Sequence, residues 1–172
     1  GGVATYVRET IERQQQQARW RNVRLLADPL ILDDELAAVA DQQDGYTSGR
    51  RPDLALKAAK QVQQRIAEAA PTVVHLHSSF PGVYGRLYQN RGPATPAIVY
   101  CPHRWAFEME APAAKKAVYR ALERWLAPRA DVILSISEHE RAAATVAGIV
   151  HPVHISIPHG MPEPLSGARP DA

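Results

Sequence analysis

The sequence has a single cysteine, no long apolar run and almost no net charge, and each shortage excludes a class of protein. The one cysteine, Cys101, excludes an internal disulfide and favours a reducing compartment. No apolar run approaches the roughly 18 to 20 residues that are needed to span a bilayer. A net charge of +2 with scattered basic residues argues against a nucleic-acid-binding surface and favours only weak attraction to anionic surfaces.

The sequence also lacks an initiating methionine and a secretory signal peptide, so we expect it to be part of a longer, cytoplasmic protein. Its 172 residues suit one domain with a single core. Apolar residues at 45% and charged residues at 22% are typical of a globular chain.

The chain alternates between apolar, strand-like segments and helical segments. Strands alternating with helices of 10 or more residues predict a parallel sheet with crossover helices. Residues 31–49, which are acidic and then rich in Gly and Ser, predict a short helix followed by a loop. The predicted strands are 22–29, 72–79, 96–102, 131–137 and 151–160, and the predicted helices are 3–20, 51–71, 80–90, 111–130 and 138–149.

Three of these strands are near-continuous apolar runs, which is expected when helices cover both faces of a sheet. The fold class is therefore α/β, a Rossmann-like parallel sheet with helices on both faces. Ligands in such folds bind outside the carboxyl ends of the strands. Polar residues follow four strands at that edge, which predicts a binding site there. They are His77-Ser78-Ser79, Pro102-His103-Arg104, Ser137-Glu138 and His159-Gly160.

Histidines are the most reactive residues at this edge. An imidazole such as His103 can serve as a base or a hydrogen-bond partner near pH 7, although its position alone leaves a structural role equally open. His75 precedes His77 by two residues on the same strand face and is expected to be a core residue. A metal cluster of His75, His77 and His103 is allowed by count, but no Cys or carboxylate accompanies them at ligand spacing, so no metal is predicted.

Gly1 and Gly2 precede the first helix. Two glycines let backbone N–H groups approach a phosphate closely at a helix N-terminus, and a simple tight turn is the alternative. Because position 6 is Tyr6, the pattern is not the Gly-x-Gly-x-x-Gly of dinucleotide sites, which argues against a nicotinamide dehydrogenase. No cofactor is predicted.

Five segments in chain order form a recognisable set: GGVATYV, VVHLHSS, YCPHRWAFE, ERWLAPRADVILSISEHER and ISIPHGMPEP. Together they resemble the N-terminal half of the family 4, GT-B fold, retaining glycosyltransferases, over nearly all of residues 1–165. That family has a glycine-rich loop after its first strand and a histidine in a Pro-His-Gly-x-x-Phe context. Pro102, His103 and Phe107 match that context.

The resemblance implies a role for each candidate residue. Gly1 and Gly2 would belong to the loop that approaches the donor diphosphate and the acceptor. His103 would be the active-site histidine, near the transferred sugar and the acceptor. His77 and Ser78 would line the acceptor cleft.

The remaining candidates include two departures from the family pattern. Arg104 stands where glycine is common and adds a cation that would suit an anionic or lipid-diphosphate acceptor. His159 stands where asparagine is usual in the family, so it stays open whether this residue acts in a hinge or contacts the donor. Ser137 and Glu138 resemble the family's strand-to-helix pair, in which Ser137 caps the helix and Glu138 is a candidate for substrate binding.

The resemblance also predicts the domain organisation. Residues 1–160 would form the acceptor-side domain without its first strand, and residues 161–172 a Pro- and Gly-rich tail or the start of an interdomain linker. The C-terminal domain, which would bind most of the nucleotide-sugar donor, is absent, so we expect the chain to be inactive alone.

The parent protein is expected to transfer a sugar from a nucleotide sugar to a glycan or lipid-linked acceptor, with retention and without a metal. The expected setting is bacterial cell-envelope or exopolysaccharide synthesis in the cytoplasm, with at most weak peripheral association at the inner face of the plasma membrane. Two alternatives stay open: a non-catalytic binding half that pairs with a separate chain, and a fragment of a GT-B-type sugar-nucleotide epimerase.

Overall fold

The computed structural model describes residues 2–20, 22–30, 32, 34–49, 51–87 and 95–158. Helices and strands alternate through these ranges, as the sequence predicts. Within the described part of the chain, no helix is both long and apolar enough to cross a bilayer. The elements are α1 (Gly2–Gln15), β1 (Arg24–Ala27), α2 (Asp34–Val39), β2 (Gln42–Gly45), α3 (Pro52–Ala69), β3 (Val73–His77), α4 (Ser79–Leu87), β4 (Ala97–Cys101), α5 (Ala113–Leu126), β5 (Val132–Ser135), α6 (Glu138–Val146) and β6 (His154–Ser156).

The strands form two parallel sheets flanked by helices. The larger sheet has the order β3-β4-β5-β6, and the smaller one pairs β1 with β2. Every pairing is parallel. The predicted α/β class with a Rossmann-like parallel sheet is therefore confirmed.

Strand β2 corrects the prediction of a loop after α2. Its sequence, Gln-Gln-Asp-Gly, has no apolar side chain, so no hydrophobic pattern marks it as a strand. It forms because its backbone pairs with β1 in parallel register, from Arg24 opposite Gln42 to Ala27 opposite Gly45. Local sequence patterns do not predict a strand that depends on its pairing partner in this way.

Helix α1 packs through one face, as its spacing of apolar residues predicts. Val7 and Ile11 are buried against Leu36 of α2, while Val3 in the first turn is exposed. Each buried side chain contributes about 1.5–3 kcal/mol relative to an exposed one. The main core lies around the larger sheet and includes Ile98 of β4.

A buried ion pair fixes α4 and α5 to β4. Arg86 of α4 donates from Nη2 to Oε2 of Glu123 of α5 at 2.9 Å, and both side chains are buried. Tyr100 of β4 donates its hydroxyl to the other oxygen of Glu123 at 2.9 Å. The Arg86 guanidinium lies 3.7 Å from the centroid of the Tyr100 ring. A side chain at Gly82 would put its Cβ 2.2 Å from the Tyr100 ring, so α4 needs a glycine there to approach the strand.

Candidate functional site

The candidate site lies at the carboxyl ends of β3 and β4. His77 ends β3 and Cys101 ends β4, and the two residues are partners in the parallel register. The backbone N–H of Ser78 donates to the carbonyl of Cys101 at 2.8 Å, which extends the pairing past the strand ends. His103 follows two residues later, and its Nε2 lies 2.9 Å from Nδ1 of His77. The structure thus brings His77, Ser78 and His103 together, as expected from the topology.

Tyr6 of α1 lies beside this histidine pair. Its ring centroid is 4.7 Å from that of His103 and 5.8 Å from that of His77, in edge-on geometry. Burial raises the pKa of Tyr6. In the sequence, Tyr6 indicates only that the dinucleotide motif is absent. The sequence signal for its position was that Tyr6 lies four residues after Gly2, because residues four apart lie on the same face of a helix.

Burial favours the neutral forms of His75 and His77. Burial, reinforced by the nearby His103, lowers the pKa of His75 to about 4. Burial also lowers the pKa of His77 well below its usual range, with smaller contributions from His75 and His103. A neutral imidazole has one N–H donor and one lone pair, and the tautomer decides which ring donates in the His77–His103 hydrogen bond. Such a pair can orient a hydroxyl through a hydrogen bond.

Three residues around the site have left-handed backbone conformations. The φ angles are 76° at Ser78, 51° at His103 and 101° at Arg104. Left-handed backbone costs a non-glycine residue of order 1 kcal/mol or more, and such strain clusters at functional sites. The value at Arg104 explains why a glycine suits this position in the family that the sequence resembles. Here an exposed arginine occupies a conformation that favours glycine.

Glu140 holds in place the loop of residues 102–105 that follows β4 and contains His103, called here the histidine loop. This role was not predicted from the sequence. Its carboxylate accepts hydrogen bonds from the backbone N–H of Arg104 and, at 2.8 Å, from that of Ile136. Its carbonyl accepts from the indole N–H of Trp105 at 2.8 Å. Burial raises the pKa of the Glu140 carboxyl. The Ser-x-x-Glu spacing from Ser137, typical of a capping box, was the signal that could have found it.

The neighbouring candidates on α6 have simpler surroundings. Ser137 caps the helix by accepting a hydrogen bond at its Oγ from the N–H of Glu140 at 3.1 Å, which confirms the capping interpretation. Glu138 is exposed and bonds to Arg141 at 2.9 Å, and this bond lowers the pKa of Glu138. Glu140, and not Glu138, is thus the carboxylate that the structure joins to the histidine loop. A substrate contact by Glu138 stays a prediction.

The candidates at the two ends of the chain are only partly within the described residues. Gly2 begins α1, and a Cβ placed on it would meet no atom within 4 Å. Packing within the described residues therefore does not require glycine there, and space remains for a ligand. Gly1, His159 and Gly160 lie outside the described residues, as does the segment 161–172.

The structure also corrects the prediction that no cysteine accompanies the histidines. Ligand atoms of His77, Cys101 and His103 all lie within 4.8 Å of one another. Cys101 was overlooked because only the parallel register places the end of β4 next to His77. His75, the third histidine of the cluster that the count allowed but that was not predicted, has a buried Nε2 for which the described residues provide no hydrogen-bond partner.

Comparison with known proteins gives two findings. A glycosyl transferase 4-like domain profile matches residues 1–160. A protein of Klebsiella pneumoniae, described as an uncharacterized 41.2 kDa protein in cps region, is 38% identical over 80 residues. That alignment covers 45% of this chain and 22% of the relative. With its parallel α/β fold and a profile match over most of its length, the chain belongs to the glycosyl transferase 4-like domain family.

Proposed function

We propose that the parent protein transfers a sugar from a nucleotide-sugar donor to an acceptor with retention of configuration, and that this chain supplies the acceptor-side domain. The observation that carries the proposal is the hydrogen-bonded pair of His77 and His103 at the carboxyl ends of two adjacent strands. This edge is where α/β sheets bind ligands. Membership of the glycosyl transferase 4-like family supports sugar transfer as the reaction.

In this proposal His103 is the catalytic residue. Its imidazole hydrogen-bonds to the acceptor hydroxyl or the donor sugar, and His77 orients it through the 2.9 Å contact between their ring nitrogens. Tyr6 forms one wall of the site, because its ring is 4.7 Å from that of His103. The N-terminal turn of α1 favours a phosphate through its N–H groups and dipole, with Gly1 and Gly2 allowing close approach.

The acceptor in this proposal is a glycan or a lipid-linked sugar. Arg104 is exposed beside His103 and provides a cation for an anionic or diphosphate-bearing acceptor. The relative's printed location in a cps region supports a role in bacterial polysaccharide synthesis. The matching setting is the cytoplasm, with weak peripheral association at the inner membrane face for lipid-linked acceptors.

We also propose that the donor's nucleotide binds mainly to a further domain of the parent protein. Residues 1–160 then act as one half of a two-domain enzyme, and the 172-residue chain alone has no transfer activity. The basis is the family resemblance, in which donor and acceptor meet between two domains. An isolated acceptor-side domain lacks one of the two partners that must be held in reactive geometry.

The test is turnover of the full-length protein with a panel of nucleotide sugars and with glycan and lipid-linked acceptors. We expect His103→Ala to lower kcat by about 10²–10⁴-fold, the usual contribution of a positioned acid, base or orienting group. Nucleotide binding should stay unchanged, and His139→Ala, on an exposed α6 histidine, is the matched control.

The stereochemistry of the product tests the second part of the proposal. The anomeric configuration, measured by proton NMR early in the reaction, should match that of the donor. An inverted product would contradict retention. Interconversion of nucleotide sugars without an acceptor would instead indicate the epimerase alternative, and full activity of His103→Ala would contradict the role of the histidine.

A further inference from the structure

Three potential metal ligands converge beside the proposed reaction site. They are Nδ1 or Nε2 of His77 and His103 and the Sγ of Cys101, and they lie within 4.8 Å of one another. Cys101 is buried, while His77 and His103 are only partly buried, so the cluster has a protected side and an accessible side. The strand pairing of His77 with Cys101 fixes the backbone of two of the three ligands.

The donor set determines which ion would fit. Two imidazole nitrogens and one thiolate suit Zn²⁺ and other borderline-soft ions, whereas Mg²⁺ and Ca²⁺ prefer oxygen ligands. Three protein ligands would leave one position of a tetrahedral ion open for water or another small ligand.

The distances require only small movements to enclose an ion. With Zn–N bonds of about 2.0–2.1 Å, two nitrogens on one tetrahedral zinc lie roughly 3.3 Å apart. The bridging nitrogens of His77 and His103 are 2.9 Å apart, so they would separate by a few tenths of an ångström. With a Zn–S bond of about 2.3 Å, sulfur and nitrogen on one tetrahedral zinc lie roughly 3.6 Å apart. Starting from separations within 4.8 Å, the thiolate would approach the nitrogens by at most about 1.2 Å.

We propose that His77, Cys101 and His103 form a binding site for Zn²⁺ or a similar borderline-soft divalent ion. Binding forms two metal–nitrogen bonds and one metal–sulfur bond, and the bonds from the hydrated ion to the waters that these ligands displace are broken. The thiol proton of Cys101 passes to solvent, and the N–H proton shared by the two histidines moves to the other nitrogen of the donating ring. No change of oxidation state is involved.

An ion in this site replaces the His77–His103 hydrogen bond by binding Nε2 of His103. The neutral ring then carries its proton on Nδ1, which can no longer accept a hydrogen bond from a substrate hydroxyl. The metal therefore inhibits and is not a cofactor. This consequence rests on the proposed function, whereas metal binding itself does not.

Cobalt is the probe, because Co²⁺ takes zinc sites and its thiolate complexes absorb in the near ultraviolet through charge transfer from sulfur. The full-length protein, freed of metal, is titrated with Co²⁺ and then with Zn²⁺. We expect a charge-transfer band that saturates at one Co²⁺ per chain and disappears when Zn²⁺ is added. Cys101 supplies the sulfur of the proposed site, so Cys101→Ser should abolish the band.

His77→Asn should weaken Co²⁺ binding by more than the roughly 10–100-fold that loss of an outer-shell partner costs. His139→Asn, on an exposed histidine bonded to Glu108, is the matched control and should bind like wild type. Cys101 is buried, so Cys101→Ser can fail to fold, and the melting temperature of each variant is therefore measured first. If Cys101→Ser is unfolded, the Co²⁺ affinity of His77→Asn alone tests the proposal. Absence of the band in wild type, or wild-type affinity in His77→Asn, would overturn the proposal.

Turnover in the presence of Zn²⁺ separates this proposal from the proposed function. A chelator should reverse the inhibition, and inhibition and Zn²⁺ binding should depend on the Zn²⁺ concentration in the same way. This result would support both the metal site and the proposed function. A saturable cobalt band without inhibition would keep the metal site and contradict the catalytic role of His103.

Discussion

Tyr100 and Cys101 are neighbours on β4, yet they belong to two very different polar clusters. Successive side chains of a strand point to opposite faces. Tyr100 joins the buried ion pair of Arg86 and Glu123 between α4 and α5. Cys101 lies with His77 and His103 at the other cluster, beside α1. One strand therefore supports a structural polar cluster on one face and a candidate reactive one on the other.

The two clusters differ in burial and in backbone strain. Both oxygens of Glu123 accept hydrogen bonds from buried donors, one from Arg86 and one from Tyr100. The histidine cluster has an imidazole at His77 whose pKa is lowered by burial, a buried thiol at Cys101 and left-handed backbone at His103. A buried, charge-paired network stabilises the fold, whereas left-handed backbone beside partly buried histidines is typical of a functional site.

The largest expected effect comes from breaking the buried ion pair. Glu123→Ala leaves the guanidinium of Arg86 buried without its counter-charge, which costs about 3–5 kcal/mol of the free energy of unfolding. Urea denaturation measures the loss. Glu68→Ala, which removes the exposed pair with Arg65, is the control and should leave the midpoint unchanged. A loss below about 1 kcal/mol for Glu123→Ala would contradict a structural role for this cluster.

The second prediction concerns pH and the neutral histidines. Unfolded His75 takes up a proton near pH 6.5, whereas the folded residue does so only near pH 4. The unfolded state therefore binds more protons in this window, and stability falls as the pH is lowered from 6.5 towards 4. The shift corresponds to at most about 3 kcal/mol for His75.

Denaturation curves at pH 7.5 and pH 5 measure this effect. His77 adds to it in the same direction, while the raised pKa of Glu140 opposes it, because the folded state takes up that proton first. His75→Val should make the pH dependence shallower. Equal slopes for His75→Val and wild type would show that His75 titrates normally in the folded protein.

The third prediction tests the carboxylate that holds the histidine loop. Glu140→Gln retains one carbonyl oxygen for the two backbone donors, Arg104 and Ile136, and should cost about 1–3 kcal/mol. A loop that holds His103 less firmly should also lower kcat more than it raises the donor KM. Glu138→Gln, two residues earlier and exposed, is the matched control for stability. Similar losses in both variants would argue against a special role for Glu140.

The smallest expected effect is at Arg104. Arg104→Gly removes the strain of a φ of 101° and should raise stability by several tenths to about 1 kcal/mol. Arg104→Ala removes the same charge but keeps the strain. If Arg104 binds an anionic acceptor, both variants should raise the acceptor KM, and only the glycine variant should be more stable. An unchanged acceptor KM in both would exclude the acceptor contact.

The part of the fold that follows from repeating local patterns could be predicted. Apolar runs and helix spacing predicted α3, α5 and the parallel strands. The rule that ligands bind at the carboxyl ends of parallel strands predicted that His77 and His103 lie at the same edge of the sheet. Strand β2 could not be found, because its backbone pairing and not its side chains makes it a strand. The prediction that the domain lacks its first strand stays a prediction, as does a donor domain beyond residue 160.

The residues that were missed depend on contacts between distant parts of the chain. Glu123 is one charged residue among several on α5. It pairs in the core with Arg86, which lies 37 positions earlier in the sequence. Cys101 and Tyr6 join the site through strand register and helix placement. No spacing within one segment encodes such contacts, so they become visible only in the folded chain.

The most direct test of the central claim is to measure turnover and stability together for His103→Gly in the full-length protein. Glycine removes the imidazole and also relieves the left-handed φ of 51°. We predict that kcat falls by about 10²–10⁴-fold while the free energy of unfolding stays within about 1 kcal/mol of wild type or rises. Wild-type turnover, or a loss of stability as large as that of Glu123→Ala, would contradict the account by making His103 a structural residue.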